Sequence, residues 1–185
     1  MATPSSMLPL GTRAPDFTLT DTISGRSLGL SQLKSVRATV VMFICNHCPY
    51  VKHLQRALVQ LARDYQPRGV AFVAISSNDV TRYPEDGPAQ MKKAAAEFGY
   101  PFPYLYDETQ VVATAFSAAC TPDFYVFDGS LSLVYRGQFD DSRPGNRKPV
   151  TGDDIRAALD AVLSNRAVNP EQKPSIGCSI KWREA

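Results

Sequence analysis

The chain lacks the features that mark several large functional classes. Its 20 Lys and Arg residues against 18 Asp and Glu leave a formal net charge of only +2. The basic residues are scattered, so no stripe offers itself to nucleic acid or to an anionic membrane. The densest basic spot, "RPGNRK" (143–148), is punctuated by Pro and Gly and reads as a solvated loop. No apolar run approaches the roughly 18 residues of a membrane span, and the N-terminus shows neither a charged n-region nor a long apolar h-region. The expected compartment is therefore cytoplasmic. Repeats, low-complexity tracts and nucleotide, flavin or haem signatures are missing as well. Histidine occurs twice and tryptophan once.

What remains is an ordinary globular composition, 44% hydrophobic and 21% charged over 185 residues. That length suits one domain with a full core. Four cysteines, Cys45, Cys48, Cys120 and Cys178, carry most of the interest. Structural disulfides are rare in a reducing compartment, so the close pair in "FICNHCPYVKH" (43–53) points to redox or metal chemistry.

Strand-like and helix-like segments alternate, which predicts an α/β layer fold with a partly parallel sheet. "DFTLTDTISGRSLGL" (16–30) alternates apolar and polar residues about "SGR" and predicts an edge hairpin, while "ATVVMFIC" (38–45) and "GVAFVAISS" (69–77) predict buried strands. Val51, Leu54, Leu58 and Leu61 step by three or four and predict a helix from Pro49 to Tyr65. The segment 78–87 reads as a polar loop. Further helices are expected over 88–98, stopped by Gly99, over 111–120, and over 151–165 with Thr151 as cap and Asp153 and Asp154 in the first turn. "DFYVFD" and "LSLVYRGQ" read as strands joined by an Asp-Gly turn at 128–130. The Pro-rich tail 166–185 carries Ile176, Cys178, Ile180 and Trp182, enough apolar surface to pack on the 14–165 core.

A buried strand running into Cys45 with a helix close behind places that thiol near free N–H groups and the positive end of the helix dipole, which favours a thiolate. Cys45 then reads as the nucleophile and Cys48, further into the helix, as the resolving thiol of a small disulfide. His47, between them, either tunes the thiolate and supplies a proton or is a solvated spacer. A metal reading competes: Cys45, His47, Cys48 and Cys120, with Cys178 in reserve, are donors suited to Zn²⁺ or Cu(I).

"APDFTLTD", "VVMFICNHCPYV", "VAFVAISSND", "GYPFPYLYDETQ" and "ACTPDFYVFD" together resemble the thioredoxin-fold superfamily, and within it the peroxiredoxin-like (AhpC/TSA-related) branch that carries a thioredoxin-type Cys-x-x-Cys. The resemblance runs from about Ala14 to Trp182. It implies a thioredoxin-like fold, a central mixed sheet flanked by helices with an N-terminal hairpin extension. It also implies a cis-proline loop facing the cysteines, with Thr121 as a substrate-backbone contact and Pro122 as the cis residue. Cys120 would then lie near the active sulfurs, as an auxiliary thiol or a small core residue. Cys178 is either a third thiol folding back to the site or a packed tail residue. Asn78, Tyr83 and Asp86, following a sheet strand, either border the cleft or belong to an ordinary surface loop, the expected reading for each taken singly.

The chain departs from its relatives in two ways. A peroxidatic Pro-x-x-x-Thr-x-x-Cys frame is missing: counted back from Cys45 the positions hold Met42 and Ala38, and from Cys48 they hold Cys45 and Val41. Ile44 and Asn46-His47 stand where thioredoxin has Trp and Gly-Pro, and a His between the cysteines favours a more oxidising couple. The expectation is a thiol–disulfide oxidoreductase acting on protein or small-molecule disulfides, with no bound cofactor, reloaded by a separate thiol reductant. A metal-binding module and a redox sensor with little turnover are the alternatives.

Overall fold

The computed structural model describes residues 2–184; Met1 and Ala185, the ends of the expected 1–185 unit, lie outside the described residues. Along the chain come β1 (Ala2–Pro4), β2 (Thr18–Asp21), β3 (Ser27–Gly29), the short α1 (Leu30–Leu33), β4 (Ala38–Phe43), α2 (Pro49–Tyr65) and β5 (Val70–Ser76). These are followed by α3 (Pro88–Phe98), β6 (Tyr104–Tyr106), α4 (Val111–Ala115), β7 (Cys120–Thr121) and β8 (Asp123–Asp128), then β9 (Leu133–Gly137), α5 (Asp153–Leu163) and β10 (Ile176–Ser179).

The main sheet has the order β3-β2-β6-β5-β4-β8-β9, with β4, β5 and β6 parallel and the remaining pairings antiparallel. This is the mixed sheet and edge hairpin that the sequence implies. Every residue of β4 is buried, because its continuous apolar run meets a layer on each face. Val40 and Met42 pack with Leu54, Leu58 and Leu61 of α2 and with Ile155 and Leu159 of α5. Val41 and Phe43 face Leu30, Val112 and Phe116 on the other side. Each such side chain contributes about 1.5–3 kcal/mol on burial, so β4 is fixed in register and holds Cys45, two residues past its end, in place. Among the described residues no helix is long and apolar enough to cross a membrane.

Four local expectations are corrected. The helix expected over 111–120 ends at Ala115. Ser117 turns to φ +51 and the chain re-extends, because Cys120 and Thr121 pair with β10; an Ala-rich apolar run reads the same in helix and buried strand. Thr151 does not cap α5. Gly152, at φ +71, holds that position, and the Asp140 carboxylate accepts the Thr151 and Gly152 N–H groups at 2.7 Å each. A Cβ at Gly152 would meet the Phe139 ring at 2.8 Å, so glycine is required twice over. The Asp-Gly signal at 128–130 does not make a two-residue turn: the connection is 129–132, with Leu131 at φ +63 and Asp128 Oδ1 accepting from the Ser130 and Ser132 N–H groups. Finally, the polar segment 78–87 is no ordinary surface loop, since Asn78, Asp79 and Asp86 are buried.

The tail forms a second sheet of order β1-β10-β7, all antiparallel. β10 crosses the Thr121-Pro122 loop so closely that a Cβ at Gly177 would sit 1.9 Å from the Thr121 carbonyl oxygen. Only glycine permits that approach.

Candidate active site

Cys45 lies in the connection between β4 and α2, and Cys48 is the N-cap of α2 with Pro49 in its first turn. That arrangement corrects one expectation: the thiol at the helix N-terminus is Cys48, not Cys45. The Thr121-Pro122 peptide is cis. Thr121 contacts both sulfurs, its Oγ1 lying 3.3 Å from Cys45 Sγ and its carbonyl oxygen accepting from Cys48 Sγ at 3.2 Å. Both cysteines are at most 1% exposed.

The electrostatics of the pair follow from this placement. Cys48 is pulled down to about 5, chiefly by hydrogen bonding from the Cys45 thiol, against its own burial. No cap hydrogen bond closes on its side chain, yet the Cys178 thiol and the Val51 and Cys178 N–H groups face the sulfur and add to the lowering. Cys45 is pushed well up by its bond to Cys48, by burial and by the Asp86 carboxylate, with only the Thr121 hydroxyl working the other way. The pair thus releases one proton readily and holds the second. The charge rests mainly on Cys48. Moving the remaining proton along the S–H···S contact yields a Cys45 thiolate bonded by the Thr121 hydroxyl, with the Cys48 S–H on the Thr121 carbonyl.

This predicts a pH signature. Ultraviolet thiolate absorbance of the reduced protein should rise with a midpoint near pH 5, whereas a midpoint near the free-cysteine value of about 8.5 would refute the coupling. Stability follows the same pair of shifts. Because Cys48 lies below its ordinary 9.0 and Cys45 above it, the pair's contribution is greatest near pH 9; it fades as pH falls through about 5 and again as pH rises further, where the fold holds back the Cys45 proton.

Asp86 organises the loop between the cysteines, a role that no sequence signal disclosed beyond its placement near the cleft. It is fully buried and accepts the Asn46 and His47 backbone N–H groups at 2.8 and 3.1 Å, the Asn78 side-chain amide at 2.8 Å and His47 Nδ1 at 2.5 Å. Tyr83 stacks on the His47 ring at 5.1 Å. Tyr104, also outside the sequence reading, donates to Asn46 Oδ1 at 3.2 Å. His47 Nδ1 also faces Cys45 Sγ, at 3.9 Å. One nitrogen cannot take a proton from the sulfur while it donates to the carboxylate, so His47 is not set as a base toward Cys45.

Cys120 is fully buried, its thiol directed at the Pro122 carbonyl oxygen at 3.7 Å and pushed up by burial. Cys178 stands opposite Thr121 in the strand register and is partly exposed. Among the described residues the metal set Cys45, His47, Cys48 and Cys120 is not brought together as one donor group; the group that does converge, within 4.8 Å, is Cys45, His47 and Asp86.

Beneath the loop, Asp123 follows the cis-proline and pairs with Arg136 at 3.0 Å, both side chains fully buried. Ser5 and Tyr125 donate to the same carboxylate oxygen at 3.2 Å each, and Arg136 also donates to the Ser117 carbonyl at 2.9 Å.

A Cys-x-x-Cys between a central strand and a helix, facing a cis-proline across a mixed sheet, defines a protein of the thioredoxin-fold class. Residues 10–136 match the AhpC/TSA family, and the chain belongs to it. An uncharacterized conserved protein from Geobacillus kaustophilus is 64% identical, with 100% of this chain and 98% of that one covered and a TM-score of 0.99. A hypothetical protein from Sinorhizobium meliloti is 49% identical, with 99% and 100% covered and a TM-score of 0.96. At 17% identity the thioredoxin domain of a thiol-disulfide oxidoreductase from Bacteroides vulgatus shares the fold, with a TM-score of 0.62 over 81% of this chain and 97% of that one. No curated protein matches the chain.

Proposed function

We propose that the protein is a thiol–disulfide oxidoreductase whose working couple is Cys45 and Cys48. The observation that carries this reading is that both sulfurs meet Thr121 beside the cis-proline, Cys45 Sγ 3.3 Å from its hydroxyl and Cys48 Sγ 3.2 Å from its carbonyl oxygen. Cys45 attacks one sulfur of a substrate disulfide, and the departing thiolate takes a proton. Cys48 then attacks Cys45 in the mixed disulfide, releasing the second substrate thiol and leaving the Cys45–Cys48 disulfide. Thr121 holds the substrate backbone and steadies the Cys45 thiolate. A disulfide-bearing protein or low-molecular-weight disulfide is the substrate class, and a separate thiol protein restores the dithiol. Peroxide is not the substrate proposed, because Met42 and Ala38, buried in β4, occupy the positions of the peroxidatic Thr and Pro.

A Cys48→Ser variant tests the order of attack. Incubated with insulin, it should accumulate a covalent adduct mapping to Cys45. Absence of any adduct, or one mapping to Cys120 or Cys178, refutes the assignment.

The convergence of Cys45, His47 and Asp86 gives the metal reading its one support. Against it, His47 Nδ1 and Asp86 Oδ2 lie only 2.5 Å apart. Two ligands each about 2.0–2.2 Å from a tetrahedral zinc ion stand well over 3 Å from one another. The two side chains are bonded to each other rather than set to share an ion.

A further inference from the structure

Three cysteines, not two, border Thr121. Cys45 meets its hydroxyl and Cys48 its carbonyl, while Cys178 faces it across the β7·β10 ladder. Cys178 packs against the core cluster that contains Cys45 and Cys48, and its thiol and N–H are among the groups that pull Cys48 down. It is also the one cysteine of the four that is partly exposed.

The strand that carries it is held on both sides. Ser175 Oγ donates to the Pro122 carbonyl at 2.7 Å, the Ile180 N–H donates to the Ala119 carbonyl at 3.1 Å, and the Lys181 N–H donates to Asn78 Oδ1 at 2.9 Å. The glycine beside Cys178 removes the only side chain that would lift the strand off Thr121. A cysteine fixed in this way against an active sulfur, at the surface end of a buried pair, is built into the site rather than trailing near it.

We propose that Cys178 is a third redox thiol that takes the disulfide over from Cys45–Cys48 and gives a dithiol reductant access to the buried pair. This rests on the oxidoreductase reading above. The Cys178 thiolate attacks Cys48 in the oxidised pair. The Cys45–Cys48 bond breaks, a Cys48–Cys178 bond forms, and Cys45 leaves as thiolate, with no net electron change. An external dithiol then attacks Cys178 at the surface and expels the Cys48 thiolate. The second thiol of the reductant closes its own disulfide and frees Cys178. Two electrons and two protons pass from the dithiol to the protein over the cycle.

The charge balance at Cys178 favours this order. Its thiol stands at about 12 in the reduced protein, raised first by burial and then by the bond to Cys48 and by the Cys48 charge, with Lys181 opposing. Joining Cys48 to Cys45 removes both Cys48 contributions, so Cys178 ionises more easily in the form it must attack.

Oxidation of the Cys45→Ser variant with diamide, followed by peptide mapping under non-reducing conditions, tests the proposal. A Cys48–Cys178 link is expected, absent from the Cys45→Ser/Cys178→Ser double variant. In the otherwise intact protein, Cys178→Ser should still form the Cys45–Cys48 disulfide but be re-reduced by dithiothreitol about tenfold more slowly. Free Cys48 and Cys178 after oxidation, a Cys48–Cys120 link, or an unchanged re-reduction rate overturns the relay while leaving the oxidoreductase reading in place. Failure of the unaltered protein to form a Cys45–Cys48 disulfide overturns that reading instead.

Discussion

Turnover of insulin disulfides by a Cys45→Ser variant should fall by about three orders of magnitude or more, to the uncatalysed background, since a serine hydroxyl at neutral pH is not ionised and cannot form the mixed disulfide. The fold should be unaffected. Ser is slightly smaller than Cys, and the Thr121 hydroxyl at 3.3 Å remains a hydrogen-bond partner. Equal loss of activity and of thermal stability would show that the variant reports on packing, and retention of full turnover would remove Cys45 from the mechanism.

The second large effect lies under the site. Replacing Arg136 by Leu strips from the Asp123 carboxylate the cation paired with it among the described residues, both side chains being fully buried. It also leaves the Ser117 carbonyl without the guanidinium that bonds it. Breaking a buried pair from one side costs about 3–5 kcal/mol, because the remaining charge is stranded in a low dielectric. Asp123 is already raised by its burial, with Arg136 the main group holding it down. The Arg136→Leu variant should therefore recover part of its stability as pH falls and the carboxyl takes up a proton. Urea denaturation at neutral and mildly acidic pH measures both effects. An Arg136→Leu variant within about 1 kcal/mol of the parent at neutral pH would mean that the pair is better solvated than its burial implies. Pairing Arg136→Leu with Asp123→Leu should restore much of the loss, since neither charge is then left alone.

The strand and helix that carry the cysteines were readable because their signals are local. A continuous β-branched run becomes β4, and three-and-four spacing from Val51 to Leu61 becomes α2. Thr121-Pro122 was legible through resemblance, and its cis peptide faces the cysteines as implied. The rest depends on contacts between distant residues. Nothing near Asp86 signals that its carboxylate closes on the Asn46 and His47 backbone some 39 or 40 positions away. Cys120 read as the end of a helix because an Ala-rich apolar segment has no period to separate it from a strand, and only the partner β10 decides the matter. Which cysteine sits at the helix N-terminus follows from the start of α2 at Pro49, which the spacing already predicts: Cys48 adjoins it and Cys45 stands further out in the connection. Cys48, drawn down chiefly by the Cys45 thiol, carries the charge, so the coupled pair rather than a lone activated Cys45 is the basis of reactivity.

Counting thiols tests the central claim most directly. The reduced, metal-free protein should titrate four thiols per chain in denaturant. After equilibration with glutathione disulfide it should titrate two fewer, with peptide mapping placing the new disulfide within 45–48 and elemental analysis finding no stoichiometric metal. Four thiols that persist through oxidation, or thiols masked until about one zinc or copper ion per chain is removed, would contradict the account.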